Sequence, residues 1–131
     1  MDKVQHFEIP ADDMNRAKKF YSDSFGWKMT DFPSPDMEYA GVYTTEIDDK
    51  HMPKEAGAIN GGMFKRGMGL PAQTPTIAVT VENLDATIAK VKAAGGSVIM
   101  EKKPIGDMGF YAYIKDTEDN VIGVWQTEKK A

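Results

Sequence analysis

Two side chains near the start of the chain could act together in chemistry. His6 and Glu8 lie in residues 4–9, whose alternating pattern predicts a β-strand, and residues two apart on a strand point to the same face. An imidazole beside a carboxylate could work as a general acid and base. Alternatively, Glu8 could only hold His6 in one tautomer, or His6 could simply line the wall of a pocket.

Few other groups in the sequence could compete with this pair. There is no cysteine, which excludes disulfides, thiolate zinc sites and cysteine nucleophiles and fits a reducing compartment. The net charge of -4 argues against nucleic acid as a partner, because such binders rely on attraction to phosphate. No apolar stretch is long enough for a signal peptide or a membrane span, so we expect a cytoplasmic protein without a membrane partner.

The elements that must position the pair occur twice along the chain. A predicted strand at residues 4–9 precedes a helix, and a second predicted strand at residues 76–81 precedes another. An Asp12 or Asp13 cap and a terminating glycine bound the first helix. The second has the same signals, and three pairs of residues are each 70 positions apart: Asp13 and Asn83, Met14 and Leu84, Gly26 and Gly96.

Three strand-like stretches follow each helix. They are residues 27–32, 39–46 and 58–64 in the first copy and residues 97–101, 110–115 and 121–126 in the second. The sequence therefore predicts a single α+β domain of two tandem βαβββ modules, at about 3–64 and 76–127, joined by a linker at 65–75. Each module has one helix for one sheet face, so we expect the two bare faces to form a cup for a ligand.

The alternation of each strand predicts which side chains line the cup. We expect the large apolar residues of the first strands (Phe7, Ile9, Ile77, Val79) to lie under the helices. By the same alternation, the last-strand residues Ile59, Gly61, Met63, Ile122 and Val124 should also lie there. The predicted ligand-binding residues are then His6, Glu8, Asn60, Gly62, Phe64, Thr76, Gly123 and Trp125. Phe64 and Trp125 could clamp a ligand between their rings, or could simply fill the junction of the sheets.

Several motifs give the chain a family resemblance. They are His6-Phe7-Glu8-Ile9-Pro10, residues 17–21, Phe25-Gly26-Trp27, residues 93–96, and the 116–120 turn that leads into residues 121–125. With these motifs the chain resembles the vicinal oxygen chelate superfamily, which includes lactoylglutathione lyase (glyoxalase I), bleomycin-resistance proteins and extradiol dioxygenases. The resemblance implies the fold and leaves the reaction open, because one fold hosts unrelated activities.

The resemblance also implies where a metal would be bound. Metal-dependent members take one ligand from the first strand and one from the last strand of each module. His6 stands at the first of these positions, but Thr76 stands at its counterpart, and Gly62 (or Asn60 or Gly61, if the register slips) and Gly123 stand on the last strands. A catalytic ion needs about three protein ligands. We therefore expect no cofactor, with a nonstandard divalent ion at His6 and Glu8 as the alternative.

Two functions remain in view. The first is a glyoxalase-related protein that binds a small organic metabolite in the cup without the four-ligand metal centre, as bleomycin-resistance proteins need none. The second is an enzyme of lyase, isomerase or dioxygenase type that uses His6 and Glu8. The missing ligands argue against lactoylglutathione lyase activity itself. The resemblance further implies a homodimer.

Overall fold

The computed structural model describes residues 1–32, 37–105 and 107–127. Within these residues it confirms the α+β fold class and the βαβββ order of both modules. The elements are β1 (Lys3–Ala11), α1 (Met14–Phe25), β2 (Lys28–Phe32), β3 (Tyr39–Tyr43), β4 (Gly61–Lys65), β5 (Thr76–Thr80), α2 (Leu84–Ala93), β6 (Ser97–Ile105), β7 (Gly109–Lys115) and β8 (Val121–Thr127). No helix in the described ranges is long and apolar enough to cross a membrane.

Residues 6–75 form one compact unit, the first module. Its strands are ordered β2-β3-β4-β1, with β1 parallel to β4 and the other neighbours antiparallel. The predicted signals bound its helix: the Asp13 side chain accepts a hydrogen bond from the Arg16 backbone nitrogen at 2.9 Å, and Gly26 ends α1 with a φ of 73°. That left-handed conformation favours glycine.

The core of the first module lies between α1 and its sheet. Trp27 stacks on Tyr21 with ring centroids 5.2 Å apart, and it lies 5.9 Å from Phe7. Phe7 and Ile9 are therefore on the helix side of β1, as predicted. The buried members of this core are Ile9, Ala11, Met14, Ala40, Val42 and Met63.

Residues from Thr76 onward group with Met1–Gln5 in a second compact unit, the second module. Its strands are ordered β5-β8-β7-β6, with β5 parallel to β8. Asn83 caps α2 by accepting from the Ala86 backbone nitrogen at 2.9 Å. The buried core between helix and sheet consists of Val81, Leu84, Ile88, Ala112, Ile114 and Val124.

The predicted burial of Ile77 beneath α2 is wrong. Its side chain is 42% exposed and lies outside the helix-side core, whereas Val79 packs against that core. In the first module Trp27 and the α1 residue Tyr21 extend the cover as far as Phe7. The positions that match Trp27 and Tyr21 hold a serine and a valine in the second module. Strand alternation predicts the face of a residue, but not how far the helix reaches along it.

Candidate functional site

His6 and Glu8 lie on the face of β1 opposite α1. Phe7 and Ile9, the residues that alternate with them, pack on the helix side. Glu8 is only 7% exposed, which is unusual for a carboxylate. Burial of an ionised carboxylate is costly unless it is hydrogen-bonded, so the environment of Glu8 must supply partners.

Tyr39 provides the contact that joins the pair. Its hydroxyl Oη lies 3.3 Å from Nε2 of His6, and it hydrogen-bonds the side chain of Glu8. Tyr39 belongs to β3, which is separated from β1 by β4, so its side chain must extend across β4. We refer to these three residues as the His6–Tyr39–Glu8 cluster.

Gly62 makes room for this crossing. It is the Cα partner of Glu8 on one side and of Gly41 on the other. A Cβ atom added to Gly62 would lie 1.8 Å from Oη of Tyr39, far closer than any real contact. The phenol therefore occupies the volume in which a side chain at position 62 would begin.

Burial determines the charge state of the cluster. It lowers the pKa of His6 to about 4, so the imidazole is neutral at pH 7. Burial, and then the charge and hydrogen bond of Glu8, raise the pKa of Tyr39 well above its usual value. The neutral phenol has one hydrogen, which it donates to Glu8, so its oxygen accepts from Nε2–H of His6. In this arrangement Nδ1 of His6 carries a lone pair and can accept a proton or a hydrogen bond.

Asn60 lies just before β4 rather than within it, because the strand predicted at 58–64 begins at Gly61. Its Oδ1 accepts hydrogen bonds from the backbone nitrogens of Thr44 at 2.8 Å and Thr45 at 3.2 Å. Asn60 therefore links the segment after β3 to the start of β4 through side-chain hydrogen bonds. Its Nδ2 is buried without a partner among the described residues and remains available as a donor.

In the second module the residues predicted for the site lie on the sheet face opposite α2. The hydroxyl of Thr76 donates to the carbonyl of Val121 at 2.5 Å, so it is used within the sheet. Gly123 is the Cα partner of Ala78. A Cβ on Gly123 would lie 3.5 Å from the ring of Tyr113, which leaves much more room than at Gly62.

Aromatic rings dominate this face of the second module. Trp125 is the register partner of Tyr111, whose ring makes an edge contact with Tyr113 at 6.1 Å between centroids. Nε1 of Trp125 donates to Oγ1 of Thr127 at 3.1 Å. Trp125 is partly buried, whereas Phe64 of the first module is completely buried. Of the predicted pair of rings, Trp125 has the surface that a ligand could touch.

The side chains do not supply a family-type metal site. Within residues 1–32, 37–105 and 107–127, no three His, Asp or Glu side chains are grouped so that they could hold an ion. At the positions implied by the family, Gly62 and Gly123 have no donor atom and the Thr76 hydroxyl is engaged with a carbonyl. This donor set does not fit the four-ligand centre.

Sequence reasoning missed Tyr39. Strand alternation places it on a face but says nothing about a neighbour two strands away. The Gly61-Gly62 pair was the available signal, since consecutive glycines in a strand indicate close approach by other atoms. In the structure Phe7 takes the space beside Gly61, and Tyr39 takes the space beside Gly62.

Comparison with known proteins identifies the family. The model of the Glyoxalase/Bleomycin resistance protein/Dioxygenase superfamily matches residues 3–124. The chain belongs to this superfamily. This superfamily member is 31% identical over 125 residues to "Putative glyoxylase CFP32" of Mycobacterium bovis, covering 93% of this chain and 44% of that protein. It therefore spans less than half the length of that relative.

Other relatives of this superfamily member are similar to it in length. It is 29% identical over 123 residues to a glyoxylase-like domain-containing protein of Didymella fabae, covering 93% of this chain and 91% of that one. Among solved structures, methylmalonyl-CoA epimerase from Mycobacterium tuberculosis aligns with a TM-score of 0.67 at 15% identity, over 96% of this chain and 88% of the other. At that identity the likeness concerns the fold alone.

Proposed function

We propose that this superfamily member binds a small organic metabolite on the face of the first module that carries the His6–Tyr39–Glu8 cluster, without the four-ligand metal centre. One observation carries the proposal: a neutral imidazole and a buried carboxylate are joined by a tyrosine on the face that α1 does not cover. A small number of placed polar groups on a mostly apolar surface is typical of ligand sites.

The hydrogen bonding of the cluster suggests the chemistry of the ligand. The phenol engages Glu8 and Nε2 of His6, which leaves the lone pair on Nδ1 of His6 outside the contacts that Tyr39 makes. A hydroxyl or N–H group on the ligand would complement it. That the two modules form a cup, and that Trp125 adds a ring to the same ligand, remain predictions from the sequence.

A ligand screen tests the proposal. A panel of small hydroxy acids, keto acids and phenols is screened by thermal shift, because a ligand that binds only the folded state raises its stability by about 2.7 kcal/mol at 100 times its Kd. Hits are measured by calorimetry in the His6→Gln variant, whose amide can still donate to Tyr39 but lacks Nδ1. We expect at least a tenfold loss of affinity, about 1.4 kcal/mol.

The matched control is His51→Gln, since His51 is exposed and lies outside the cluster. Its affinity should equal that of the wild type. Unchanged affinity in folded His6→Gln would contradict the proposal.

An enzymatic function is the second candidate, and the charge state of His6 favours it. An imidazole that stays unprotonated at neutral pH can act as a general base. Each confirmed ligand is incubated with the protein in D2O and followed by proton NMR. Exchange of a carbon-bound hydrogen that disappears in His6→Gln would support a lyase or isomerase type of reaction, and no exchange or turnover would leave binding as the function.

We also propose that the chain works as a cytoplasmic homodimer, which the family resemblance implies. Size-exclusion chromatography with light scattering should give twice the 14.5 kDa of one chain. A monomeric mass at micromolar concentration would contradict the dimer.

A further inference from the structure

We infer that Tyr39 takes the place of the last-strand ligand in the first module. Its phenol fills the space over Gly62, holds His6 as the Nε2–H tautomer, and thereby keeps divalent ions from binding Nε2 of His6 together with Glu8, while Nδ1 is left for a hydrogen-bonding ligand. The inference rests on the proposed function in that it concerns the same face. It assigns a positioning role to a residue that no motif singled out.

The ring of Tyr39 leaves no space for a side chain at position 62. A Cβ on Gly62 would lie 1.8 Å from Oη, 2.2 Å from Cζ and 2.9 Å from Cε1 of Tyr39. Gly62 is the Cα partner of Glu8, so any side chain at this position would stand beside Glu8 on the face it shares with His6. The space in which β4 would offer a further ligand is therefore filled by a ring from β3.

Tyr39 also forms hydrogen bonds with both potential metal ligands of the cluster. Tyr39 engages Nε2 of His6 and the side chain of Glu8 at once, and these are the two groups of the cluster that could ligate an ion. An ion bound through Nε2 of His6 and Glu8 would displace the phenol and leave a buried hydroxyl without these partners, which is unfavourable. Tyr39 thus occupies Nε2 of His6 and a hydrogen-bonding position of Glu8, and it does not contact Nδ1.

The second module does not repeat the close approach of a tyrosine hydroxyl to a last-strand glycine. A Cβ on Gly123 would meet Ala78 at 3.3 Å and Tyr113 at 3.5 Å. No tyrosine hydroxyl occupies the first atom position of a side chain there. The crossing phenol is therefore a feature of the module that carries His6, and not a consequence of the fold.

The tautomer of His6 provides the first test. Protein labelled with 15N-histidine is examined by long-range proton–nitrogen NMR, which distinguishes protonated from unprotonated ring nitrogens, and His51 is assigned by its absence from the spectrum of His51→Gln. We expect His6 to be protonated at Nε2 alone in the wild type and to populate both tautomers in Tyr39→Phe. Tyr43→Phe, the same substitution on the same strand, should leave the spectrum unchanged.

Two results would overturn the inference in this test. One is protonation at Nδ1 of His6 in the wild type. The other is an Nε2–H signal that remains the only tautomer in Tyr39→Phe.

Zinc binding provides the second test. Calorimetry with ZnCl2 should detect no stoichiometric site in the wild type, where Tyr39 engages both groups, or in Tyr39→Ala, where His6 and Glu8 are two ligands and a zinc site needs about three. The double variant Tyr39→Ala/Gly62→Glu removes the ring and adds a carboxylate beside Glu8 and His6, so it should bind one zinc per chain. Adding His6→Gln to the double variant should abolish that binding.

Stoichiometric zinc binding in the wild type that is lost in His6→Gln would contradict the inference. A folded double variant that binds no zinc would contradict it as well. If circular dichroism shows the double variant unfolded, the tautomer spectra decide alone. Neither test uses an organic ligand. A failed ligand screen with the expected tautomer would therefore reject the proposed function only, and the reverse outcome would reject only the role of Tyr39.

Discussion

The two modules share an element order and a pattern of strand pairing, yet they carry different chemistry on the sheet face away from the helix. The first module presents the His6–Tyr39–Glu8 cluster there. The second presents Ala78, Tyr113 and Trp125. Thr76, which stands at the position matching His6, donates its hydroxyl to a carbonyl within the sheet. The same order of elements thus carries an imidazole and a carboxylate on this face of the first module, and mainly aromatic and small side chains on this face of the second.

The helix sides differ as well. In the first module Trp27 stacks on Tyr21 of α1 and contacts Phe7, whereas α2 packs through aliphatic side chains and Ile77 is exposed. Both helices nevertheless start at matching positions, Met14 and Leu84, whereas α1 ends at Phe25 and α2 ends earlier in the repeat, at Ala93. Capping residues define where each helix lies, while the size of its side chains determines how much of the sheet it covers.

Matched core truncations should show the largest effect. Leu84 and Met14 occupy corresponding first helical positions, and Leu84 is completely buried whereas Met14 keeps slight exposure. Leu84→Ala should lower the free energy of unfolding by about 3 kcal/mol through the lost contacts and the cavity left behind. Met14→Ala should cost about 2 kcal/mol. Urea denaturation measures both, and a larger loss for Met14→Ala would contradict the ranking expected from the deeper burial of Leu84.

The next largest effect should be the pH dependence of the free energy of unfolding, to which His6 of the first module contributes. The pKa of His6 falls from 6.5 to about 4 on folding because the side chain is buried. Between these pH values the unfolded chain binds a proton that the folded protein does not, so stability rises with pH across this window and is lost as the pH falls. The full effect is about 3 kcal/mol. The second module has threonine at the matching position and contributes nothing similar.

His6→Gln provides the comparison for that prediction. Denaturation at pH 4.5 and pH 7 should show a smaller difference for the variant than for the wild type. The carboxyls of Asp48 and Asp116, whose pKa values are lowered by hydrogen bonds, are present in both proteins and cancel in the comparison. Equal pH dependence would show that His6 is not held neutral by folding.

Alanine substitutions at the two last-strand glycines should lower the free energy of unfolding by different amounts, with a smaller difference than in the preceding predictions. Gly62→Ala must displace the ring of Tyr39 and should cost about 2 kcal/mol, whereas Gly123→Ala should cost under about 1 kcal/mol because its neighbours are 3.3 and 3.5 Å away. In Tyr39→Ala the same glycine substitution should become nearly neutral. Additive costs in the double variant would mean that Gly62 and Tyr39 are not in contact.

Removal of the helix N-caps should give the smallest difference in stability between the two modules. Asp13→Ala and Asn83→Ala each remove a side-chain acceptor from a helix N-terminus and should cost about 1 kcal/mol. Asp13→Ala should cost a few tenths of a kcal/mol more, because α1 has no other acidic residue in its first turn while α2 keeps Asp85. Thermal unfolding checks the order, and a clearly larger loss for Asn83→Ala would contradict it.

The local signals in the sequence predicted most of the fold. Asp13, Gly26 and Asn83 bound the helices as expected, since capping depends on hydrogen bonds within one turn. The helix-side placement of Phe7 and Met63 also follows from alternation. The start of β4 at Gly61 was not predicted. The segment before it is held by hydrogen bonds from the Thr44 and Thr45 backbone nitrogens to the side-chain oxygen of Asn60, and these residues are well separated in the chain.

The sequence by itself determined that the chain consists of two βαβββ copies and that His6 and Glu8 share a strand face, because capping and strand alternation act over a few residues. Only the tertiary structure decided what these two residues contact. Tyr39 is 33 residues from His6 and reaches it across β4, over a glycine that leaves the path open. A contact across an intervening strand depends on the order of strands in the sheet, and no local pattern encodes that order.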